Sequence, residues 1–331
     1  MKFDKARVIG VGSYLPEKVL TNVDLEKMVD TTAEWIFTRT GIGERRVSAE
    51  GERTSDLGFF AAERAIHNSG LDKEEIELII VATMSGDYIS PSTAAIIGAK
   101  LGIEGTPAFD IAAACSGGIY ALSIAKAYIE AGIYKKILLV MPEKMSSIID
   151  YQDRSTCILF GDGAGAMVVS DSGEGYSIEG LSLGADGKQE ELLYIPAGGT
   201  AKPASEDTLN NREHFLKMNG REIFKHAVRR MGSSIQKSLE IAGLTEADIS
   251  WFIPHQANMR IIDGLAKRFN VPSERVYKTV HKYGNTSASS TIIAFDELVR
   301  KYQLADGSNV VMTAFGAGLT WGAVVLRKIG A

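Results

Sequence analysis

Short runs of apolar, mostly β-branched residues alternate along the whole chain with longer stretches whose apolar positions repeat at helical spacing. The apolar runs are short enough to be strands and lie at residues 7–11, 76–83, 136–141, 166–170, 251–254, 309–313 and 323–328. Alternation of strands with amphipathic helices is typical of proteins whose helices cover both faces of a largely parallel sheet. The pattern therefore predicts an α/β fold.

The second half of the chain repeats the pattern of the first at a nearly constant interval. A helical stretch ending in a Gly-Leu pair occurs at 61–71 and again at 234–244, and the two pairs lie 173 positions apart. The apolar run at 138–140 has a counterpart at 310–312, and the glycine-rich segment at 161–169 resembles the one at 315–325. This ordered series predicts an internal duplication into two α/β halves, residues 1–174 and 175–331, with residues 184–211 as an excursion between strands.

Composition and charge exclude several classes of protein. Of 331 residues, 45% are hydrophobic and 23% charged, which suits a folded chain with a large core and excludes a disordered one. The longest obvious apolar run, residues 78–84, is far shorter than the roughly 18 residues that a membrane span needs. The net charge of −5, with scattered basic residues, gives no footprint for nucleic acid. Because residues 1–5 lack the apolar region of a secretory signal, we expect a cytoplasmic protein.

Cys115 lies where a strand-like stretch passes through small residues into the apolar helical stretch 119–131. Small residues permit a sharp strand-to-helix turn, and a helix N-terminus favours thiolate over thiol. Most free cysteines are small buried core residues, so this segment alone leaves that alternative open. Cys157, inside the apolar run 157–160, is predicted to be such a core residue. The two cysteines and five histidines show no CxxC or HExxH spacing, so we predict no metal site.

Two polar residues of the second half occupy comparable places. His255 follows the apolar run 251–254, and sites in α/β sheets gather at such strand ends. Asn285 precedes the helical stretch 291–301, and the duplication would make it the counterpart of Cys115, 170 positions earlier. A structural histidine and a helix-capping asparagine are the alternatives. Together, Cys115, His255 and Asn285 predict one catalytic set.

These segments resemble the β-ketoacyl-acyl-carrier-protein synthase III family of the thiolase superfamily. The resemblance spans essentially the whole chain and rests on AACSG at 113–117, PHQAN at 254–258 and HKYGNTSAS at 281–289, with support at 31–42, 153–154, 160–165 and 315–318. It implies the five-layered αβαβα thiolase fold, consistent with the duplication, and a homodimer. It also implies no cofactor, because the acyl-CoA is a substrate.

The reaction implied by the resemblance has two steps: an acyl group passes from CoA to Cys115, and malonyl on acyl carrier protein then condenses with it by decarboxylation, which initiates fatty acid synthesis. His255 and Asn285 would donate hydrogen bonds to the enolate oxygen, and the backbone N–H groups of Cys115 and Ala317 would bind the oxyanion. Family members often have three successive glycines where this chain has Gly316, Ala317 and Gly318. If position 317 requires a positive φ, alanine is strained there.

The resemblance also assigns binding residues. Trp35 and Arg154 would sandwich the CoA adenine, for which an aromatic face and a planar guanidinium are suited, although Trp35 could instead be a helix core residue. The full set assigned to CoA is Trp35, Arg39, Arg154, Gly220, Phe224 and Asn258. The set assigned to docking of the acidic carrier protein is Lys225, Arg260, Lys267 and Arg268, with a solvated basic helix face as the alternative.

Ser90 stands where some relatives carry a phenylalanine that reaches the partner subunit's acyl pocket. A smaller side chain leaves more room, so we expect acyl primers longer than acetyl to react.

Three other functions share some of these sequence features. A related polyketide or secondary-metabolite condensing enzyme, using a CoA-bound extender or another acceptor, would share the cysteine, histidine and asparagine. A catalytically silent binding subunit is disfavoured because all three residues are present. A nicotinamide oxidoreductase is suggested by Gly10 and Gly12 and by the glycines at 161–165, but the third fingerprint glycine is replaced by Leu15 or Ala166.

Overall fold

The computed structural model describes residues 5–330, so the part of the secretory-signal argument that concerns residues 1–4 lies outside it. Each of the seven predicted apolar runs overlaps a strand, although the run 76–83 extends beyond its strand at both ends. The strands are β1 Arg7–Tyr14, β2 Val19–Thr21, β3 Glu44–Arg46, β4 Leu78–Ala82, β5 Ala108–Ile111, β6 Lys136–Glu143, β7 Gly163–Ser170, β8 Gly175–Ala185, β9 Leu193–Tyr194, β10 Lys217–Met218, β11 Ile249–Pro254, β12 Asn309–Gly316 and β13 Thr320–Ile329. The helices are α1 Asn22–Leu25, α2 Ala33–Thr40, α3 Thr54–Ser69, α4 Thr93–Leu101, α5 Gly117–Glu130, α6 Arg154–Cys157, α7 Glu206–Asn210, α8 Gly220–Ala242, α9 Met259–Arg268, α10 Val280–Tyr283 and α11 Ser290–Lys301.

Nine strands are hydrogen-bonded in the order β11-β12-β13-β8-β1-β7-β6-β4-β5. The two central strands, β8 and β1, are antiparallel and share only two residue pairs, so the assembly divides naturally between them into two sheets. The order β1-β7-β6-β4 in the first sheet corresponds to β8-β13-β12-β11 in the second, with the same parallel and antiparallel pairs. Where the first sheet continues with β5, the second has only a single bridge between Val276 and Phe252. The division into residues 1–174 and 175–331 stays a prediction, and β8 begins at Gly175.

Side chains alternate across each sheet and so define the layers. Ile137 and Leu139 of β6 face a central core shared with α5 and α11, while Leu138 faces the outer core under α3 and α4. Across the molecule, Val310 of β12 faces the same central core, and Val311 faces α8 and α9. Strands buried on both faces read as continuous apolar runs, which is why the sequence signals them clearly. The layers follow the order αβαβα, so the predicted thiolase fold is confirmed.

Helix α3 crosses β1 very closely. A Cβ atom on Gly10 would lie 2.3 Å from the carbonyl oxygen of Ala65, and one on Gly12 would lie 2.5 Å from the Ala65 nitrogen. The absence of side chains at these two glycines therefore allows α3 to pack directly against the middle of β1. They form no strand-to-helix turn of the kind that binds a dinucleotide phosphate.

The excursion after β8 covers one end of the sheets. It contains β9 and α7, and β9 pairs with β10 just before α8. Leu193 and Leu216 from this region join a smaller apolar cluster that also holds Cys157, which is buried as predicted. This cluster closes over the carboxyl ends of the strands, where the predicted site residues lie.

Two expected absences can be examined only within residues 5–330. No helix in that range is long and apolar enough to cross a membrane. The same range contains no group of three or more His, Cys, Asp or Glu side chains placed to hold a metal ion.

Candidate active site

Cys115 lies in a single 3-10 turn, Ala114–Ser116, between β5 and α5. Ala114 has φ of 44°, a left-handed conformation that side chains seldom adopt, and it reverses the chain sharply at this point. Helix α5 follows at once with Gly117, where a Cβ would lie only 2.8 Å from that of Ala82. The turn leaves Cys115 5% exposed, with its side chain lining a cavity between the two halves.

The second half contains the same turn, but Asn285 is not its central residue. Ser287 has φ of 52°, the 3-10 turn spans Ser287–Ser289, and α11 begins at Ser290. Each of these positions lies 173 residues after its counterpart in the first half. The residue equivalent to Cys115 is therefore Ala288, and the predicted pairing with Asn285 at an interval of 170 is wrong. The two turns set the interval of 173 between equivalent residues, and Asn285 lies before the second turn rather than in it.

His255 follows β11 directly and is held by its backbone N–H, which donates to the Thr313 carbonyl at 2.7 Å. The side chain is 3% exposed, and burial lowers its pKa to about 4, so the ring is neutral near pH 7. Its Nδ1 lies 2.6 Å from Ser290 Oγ. When the serine hydroxyl donates to Nδ1, the ring proton resides on Nε2, which then faces the cavity as a hydrogen-bond donor.

Asn285 reaches the same cavity from the segment before the second turn. Its Oδ1 accepts a hydrogen bond from the Ser287 N–H at 2.8 Å, and its backbone N–H donates to the Leu159 carbonyl at 2.8 Å. These contacts fix the amide orientation and leave Nδ2 as the group available to a ligand. His255 and Asn285 therefore present two neutral donors to one cavity.

The cavity that joins the three residues has a volume of about 140 Å³ and mainly apolar walls. Cys115, His255 and Asn285 lie at its buried end. Gly220, Phe224 and Asn258, which the sequence assigned to CoA, also line it, and Phe224 is 39% exposed at the outer end. The remaining wall includes Met84, Leu159, Phe160, Leu193, Leu216, Met218, Ile223, Ala227, Met231, Ala257, Ile261, Phe315 and Ala317.

The backbone after β12 passes directly beside Cys115. A Cβ atom on Gly316 would lie 2.6 Å from the Cys115 nitrogen, so only glycine fits there. Within residues 5–330, neither the Cys115 N–H nor the Ala317 N–H donates to the backbone of a residue outside its own turn or strand. Ala317 has no positive φ; the left-handed conformation falls on Gly318, at 131°. The strain considered for alanine at position 317 is therefore absent.

The protonation state of Cys115 differs from the expectation based on its helix. Burial raises the pKa of the thiol to about 12, and the nearby Glu143 carboxylate adds to the shift. The Ser287 hydroxyl, whose Oγ lies 3.4 Å from Sγ, opposes it. The resting group is thus a thiol, because burial outweighs the favourable position before α5.

Three polar residues around the site were missed by sequence reasoning: Glu143, Ser287 and Ser290. Glu143 ends β6 and is fully buried, and its Oε1 lies 2.9 Å from Ser287 Oγ. Burial raises the pKa of Glu143 to about 7, against hydrogen bonds that lower it, from Ser85 above all. The one available signal was a charged residue closing a continuous apolar strand.

The residues assigned to the adenine lie together on the surface. The Arg154 guanidinium carbon is 5.0 Å from the centre of the Trp35 ring, and that of Arg39 is 5.9 Å from it. Trp35 is 38% exposed and is therefore no helix core residue. Asn258 also caps α9, since its Oδ1 accepts from the Arg260 N–H at 2.9 Å.

The remaining assigned residues are all exposed. Arg260, Lys267 and Arg268 lie on α9 and Lys225 on α8, where Lys225 pairs with Glu222 at 2.7 Å. Ser90 lies in the loop 83–92 between β4 and α4, outside the Cys115 cavity of its own chain.

Comparison with known proteins agrees with this architecture. Residues 109–187 match the family described as 3-oxoacyl-acyl-carrier-protein synthase III, and residues 239–328 match the C-terminal region of the same family. A β-ketoacyl-acyl-carrier-protein synthase III of Chlamydia pneumoniae is 56% identical over 99% of this chain and 98% of its own.

Two solved structures carry the same description. The 3-oxoacyl-acyl-carrier-protein synthase III of Aquifex aeolicus has a TM-score of 0.89 at 46% identity, covering 97% of this chain and 99% of its own. The enzyme of Thermus thermophilus has a TM-score of 0.90 at 45% identity, covering 98% and 100%. The chain therefore belongs to the 3-oxoacyl-acyl-carrier-protein synthase III family of condensing acyltransferases.

Proposed function

We propose that this enzyme loads an acyl group from acyl-CoA onto Cys115 and condenses it with malonyl on acyl carrier protein, the step that initiates fatty acid synthesis. One observation carries the proposal: a single apolar cavity joins a buried thiol to two neutral hydrogen-bond donors and opens beside Phe224. Each of the two half-reactions uses a different part of that cavity.

In the loading step, the Cys115 sulfur attacks the thioester carbonyl carbon and the carbonyl oxygen becomes an oxyanion. The backbone N–H groups of Cys115 and Ala317 bind this oxygen, since both lie beside Sγ and neither donates to the backbone of another element within residues 5–330. CoA leaves and the acyl group stays on Sγ. Trp35 and Arg154 hold the adenine, with Arg39, Gly220, Phe224 and Asn258 along the rest of the CoA.

In the condensation step, malonyl loses CO₂ and the electron pair forms an enolate. His255 Nε2–H and Asn285 Nδ2 donate to the enolate oxygen, and a missing donor of this kind costs about 3 kcal/mol in other enzymes. The enolate carbon then attacks the acyl carbon on Cys115, and the tetrahedral intermediate expels the thiolate. The product is a β-ketoacyl group on the carrier protein, formed without a metal or a redox cofactor.

The carrier protein is acidic, and the exposed cations on α8 and α9 favour it as the partner. Arg260, Lys267 and Arg268 on α9, with Lys225 on α8, form the docking surface. We further propose a cytoplasmic homodimer that binds neither membrane nor nucleic acid. Family membership favours carrier-bound malonyl over the CoA-bound extender of related polyketide enzymes.

Intact-protein mass spectrometry tests both half-reactions. Wild type mixed with acyl-CoAs of different length should gain the mass of the acyl group, and Cys115→Ala should gain none. Malonyl-acyl carrier protein should then discharge the adduct as β-ketoacyl product. Cys157→Ala is the matched control and should load normally.

The outcomes separate the alternatives. An adduct that persists with carrier-bound malonyl but clears with malonyl-CoA would favour the polyketide type. Absence of any adduct on wild type would refute the proposed function.

A further inference from the structure

Glu143 is a fully buried carboxyl group with no cationic partner. It forms no ion pair within residues 5–330, and the ammonium of the adjacent Lys144 contacts the carbonyl oxygen of Glu52. Four neutral donors surround the carboxyl: Ser85 Oγ at 2.6 Å, Ser287 Oγ at 2.9 Å, Thr83 Oγ1 at 3.2 Å and the Met84 N–H at 3.3 Å. A buried, unpaired carboxylate is costly, so its retention here calls for a chemical reason.

One of these donors also touches the nucleophile. Ser287 Oγ lies 3.4 Å from Cys115 Sγ on one side and 2.9 Å from Glu143 Oε1 on the other. Its position is fixed because its backbone has φ of 52° and its N–H donates to Asn285. A hydroxyl has one proton and cannot donate to both neighbours. An ionised carboxylate takes that proton, which leaves an oxygen lone pair facing the thiol.

We propose that Ser287 and Glu143 accept the proton of Cys115 during acyl loading, an inference that rests on the proposed function. The Cys115 S–H proton passes to Ser287 Oγ while the Ser287 proton passes to Glu143 Oε1. The electron pair freed on Sγ bonds to the thioester carbon, and the carbonyl π pair moves to oxygen. When the C–S bond to CoA breaks, the leaving sulfur takes the proton back along the same path, since it is bonded to the same tetrahedral carbon as Sγ. No proton is gained or lost overall.

Charge and basicity support this path. Cys115 is the titratable group that faces Glu143 across Ser287, while Thr83, Met84 and Ser85 contribute neutral groups. Two negative charges on Cys115 and Glu143, which are separated only by the Ser287 hydroxyl, would repel each other strongly. The pair therefore holds one proton, which moves between them. His255, the other candidate base, has a pKa of about 4, below the value of about 7 for Glu143, and its Nδ1 faces Ser290.

The decisive measurement is the single-turnover rate of acyl loading between pH 5.5 and 9, read by quenched-flow mass spectrometry. The wild-type rate should rise with pH and level off above about pH 7, as Glu143 loses its proton. Glu143→Gln is isosteric but cannot accept the proton, so its loading at pH 7 should be about 100-fold slower and should rise up to tenfold per pH unit without levelling off. Decarboxylation of malonyl-acyl carrier protein, which uses His255 and Asn285, should stay within threefold of wild type.

Two further variants separate this chemistry from a structural role. Ser287→Ala should slow loading as Glu143→Gln does, and the double variant should be no slower than either single one. Asp162→Asn is the matched control, because Asp162 is also a fully buried carboxyl group but binds Ser48 and Ser146. It should retain the levelling near pH 7 even if its melting temperature falls.

Several results would overturn the inference. Loading by Glu143→Gln within threefold of wild type, with the same pH profile, would remove the carboxyl group from the reaction. Equal losses in loading and decarboxylation, together with a lower melting temperature, would make Glu143 structural. If wild type itself loads no acyl group, the proposed function fails as well, which distinguishes that case from the first two.

Discussion

The two halves of the molecule share one backbone plan and differ in what they place on it. Both contain a 3-10 turn entered through a residue with positive φ, Ala114 or Ser287, and a helix that starts three residues later. In the first half the turn exposes Cys115 to the cavity. In the second half the equivalent residue, Ala288, is fully buried in the central core, and the preceding Ser287 supplies the polar group. The same turn thus holds the proposed nucleophile in the first half and a hydroxyl that contacts its sulfur in the second.

The strand ends differ in the same way. The residue after β4 is Thr83, whereas the residue after β11 is His255. Strand β6 ends in Glu143, whereas β12 ends in Gly316, whose missing side chain makes room for the Cys115 backbone. The first half contributes the sulfur and the carboxyl group, and the second contributes the two neutral donors and the bridging hydroxyl. Neither half holds a complete site, so the chemistry depends on their packing.

The largest effect is expected from a substitution of Asn285, one of the two donors that the second half contributes. Asn285→Asp keeps an oxygen to accept the Ser287 N–H but replaces the Nδ2 donor by an anionic oxygen facing the enolate. Losing one such donor costs about 3 kcal/mol, so decarboxylation should fall by a factor of ~10² to 10³. Acyl loading, which is proposed to use Cys115, Ser287 and Glu143 rather than the Asn285 side chain, should stay within threefold. The two rates can be measured separately by CO₂ release and by intact mass.

The matched control for that variant is Asn210→Asp at the exposed end of α7, which should leave both rates unchanged. Equal loss of loading and decarboxylation in Asn285→Asp would show that the Asn285 amide does not act in decarboxylation alone.

The fold class was predictable because its signals are local, and local signals also picked out Cys115 and His255, which the structure brings into one cavity. Strands β6 and β12 are buried on both faces and read as continuous apolar runs. Strand β8 was not predicted, because Gly and Ser interrupt its apolar residues and half of it is partly exposed. Cys115 was found from the small residues around it, and the spacing of 173 between the Gly-Leu pairs already contained the correct counterpart, Ala288.

What the sequence could not supply depends on contacts across the molecule. Ser287 lies 144 positions from Glu143 and 172 from Cys115 in the sequence. The three side chains meet only when the two halves pack together. The thiol form of Cys115 follows from its burial, which no local pattern reveals. The orientation of His255 depends on Ser290, a residue 35 positions away.

A cysteine placed at the equivalent position of the second turn tests whether the backbone turn alone is sufficient for acyl loading. Ala288→Cys in a Cys115→Ala background should gain no acyl group, because position 288 is fully buried beneath α5, with the Gly117 Cβ position only 3.4 Å from its Cβ. The added sulfur overpacks this core and should lower the free energy of unfolding by roughly 1–3 kcal/mol. Intact mass after mixing with acyl-CoA and urea unfolding check the two parts, with Cys115→Ala alone as the control. An adduct at position 288 would show that the backbone turn is sufficient.

The loops that follow β4 and β11 differ in length between the two halves. The loop between β4 and α4 spans residues 83–92, whereas the corresponding loop between β11 and α9 spans only 255–258. The longer loop carries exposed Tyr88, fully exposed Ile89 and Ser90 away from the cavity of its own chain. In the proposed homodimer this exposed loop would reach the partner subunit, and Ser90 is the position expected to set the depth of the acyl pocket.

Ser90→Phe should therefore shorten the range of primers while leaving acetyl transfer intact. Wild type is expected to load C4 to C8 acyl groups as well as acetyl, and a ring in place of the hydroxymethyl group removes the space for the longer chains. Because a few methylenes in an apolar pocket are worth about 1–3 kcal/mol, octanoyl loading relative to acetyl should fall ~10-fold or more. Competition between acetyl-CoA and octanoyl-CoA, read by intact mass, measures this ratio directly, and Ser90→Ala should leave it unchanged. A wild-type enzyme that loads acetyl alone, or a ratio that Ser90→Phe does not alter, would mean that this loop does not set the depth of the acyl pocket.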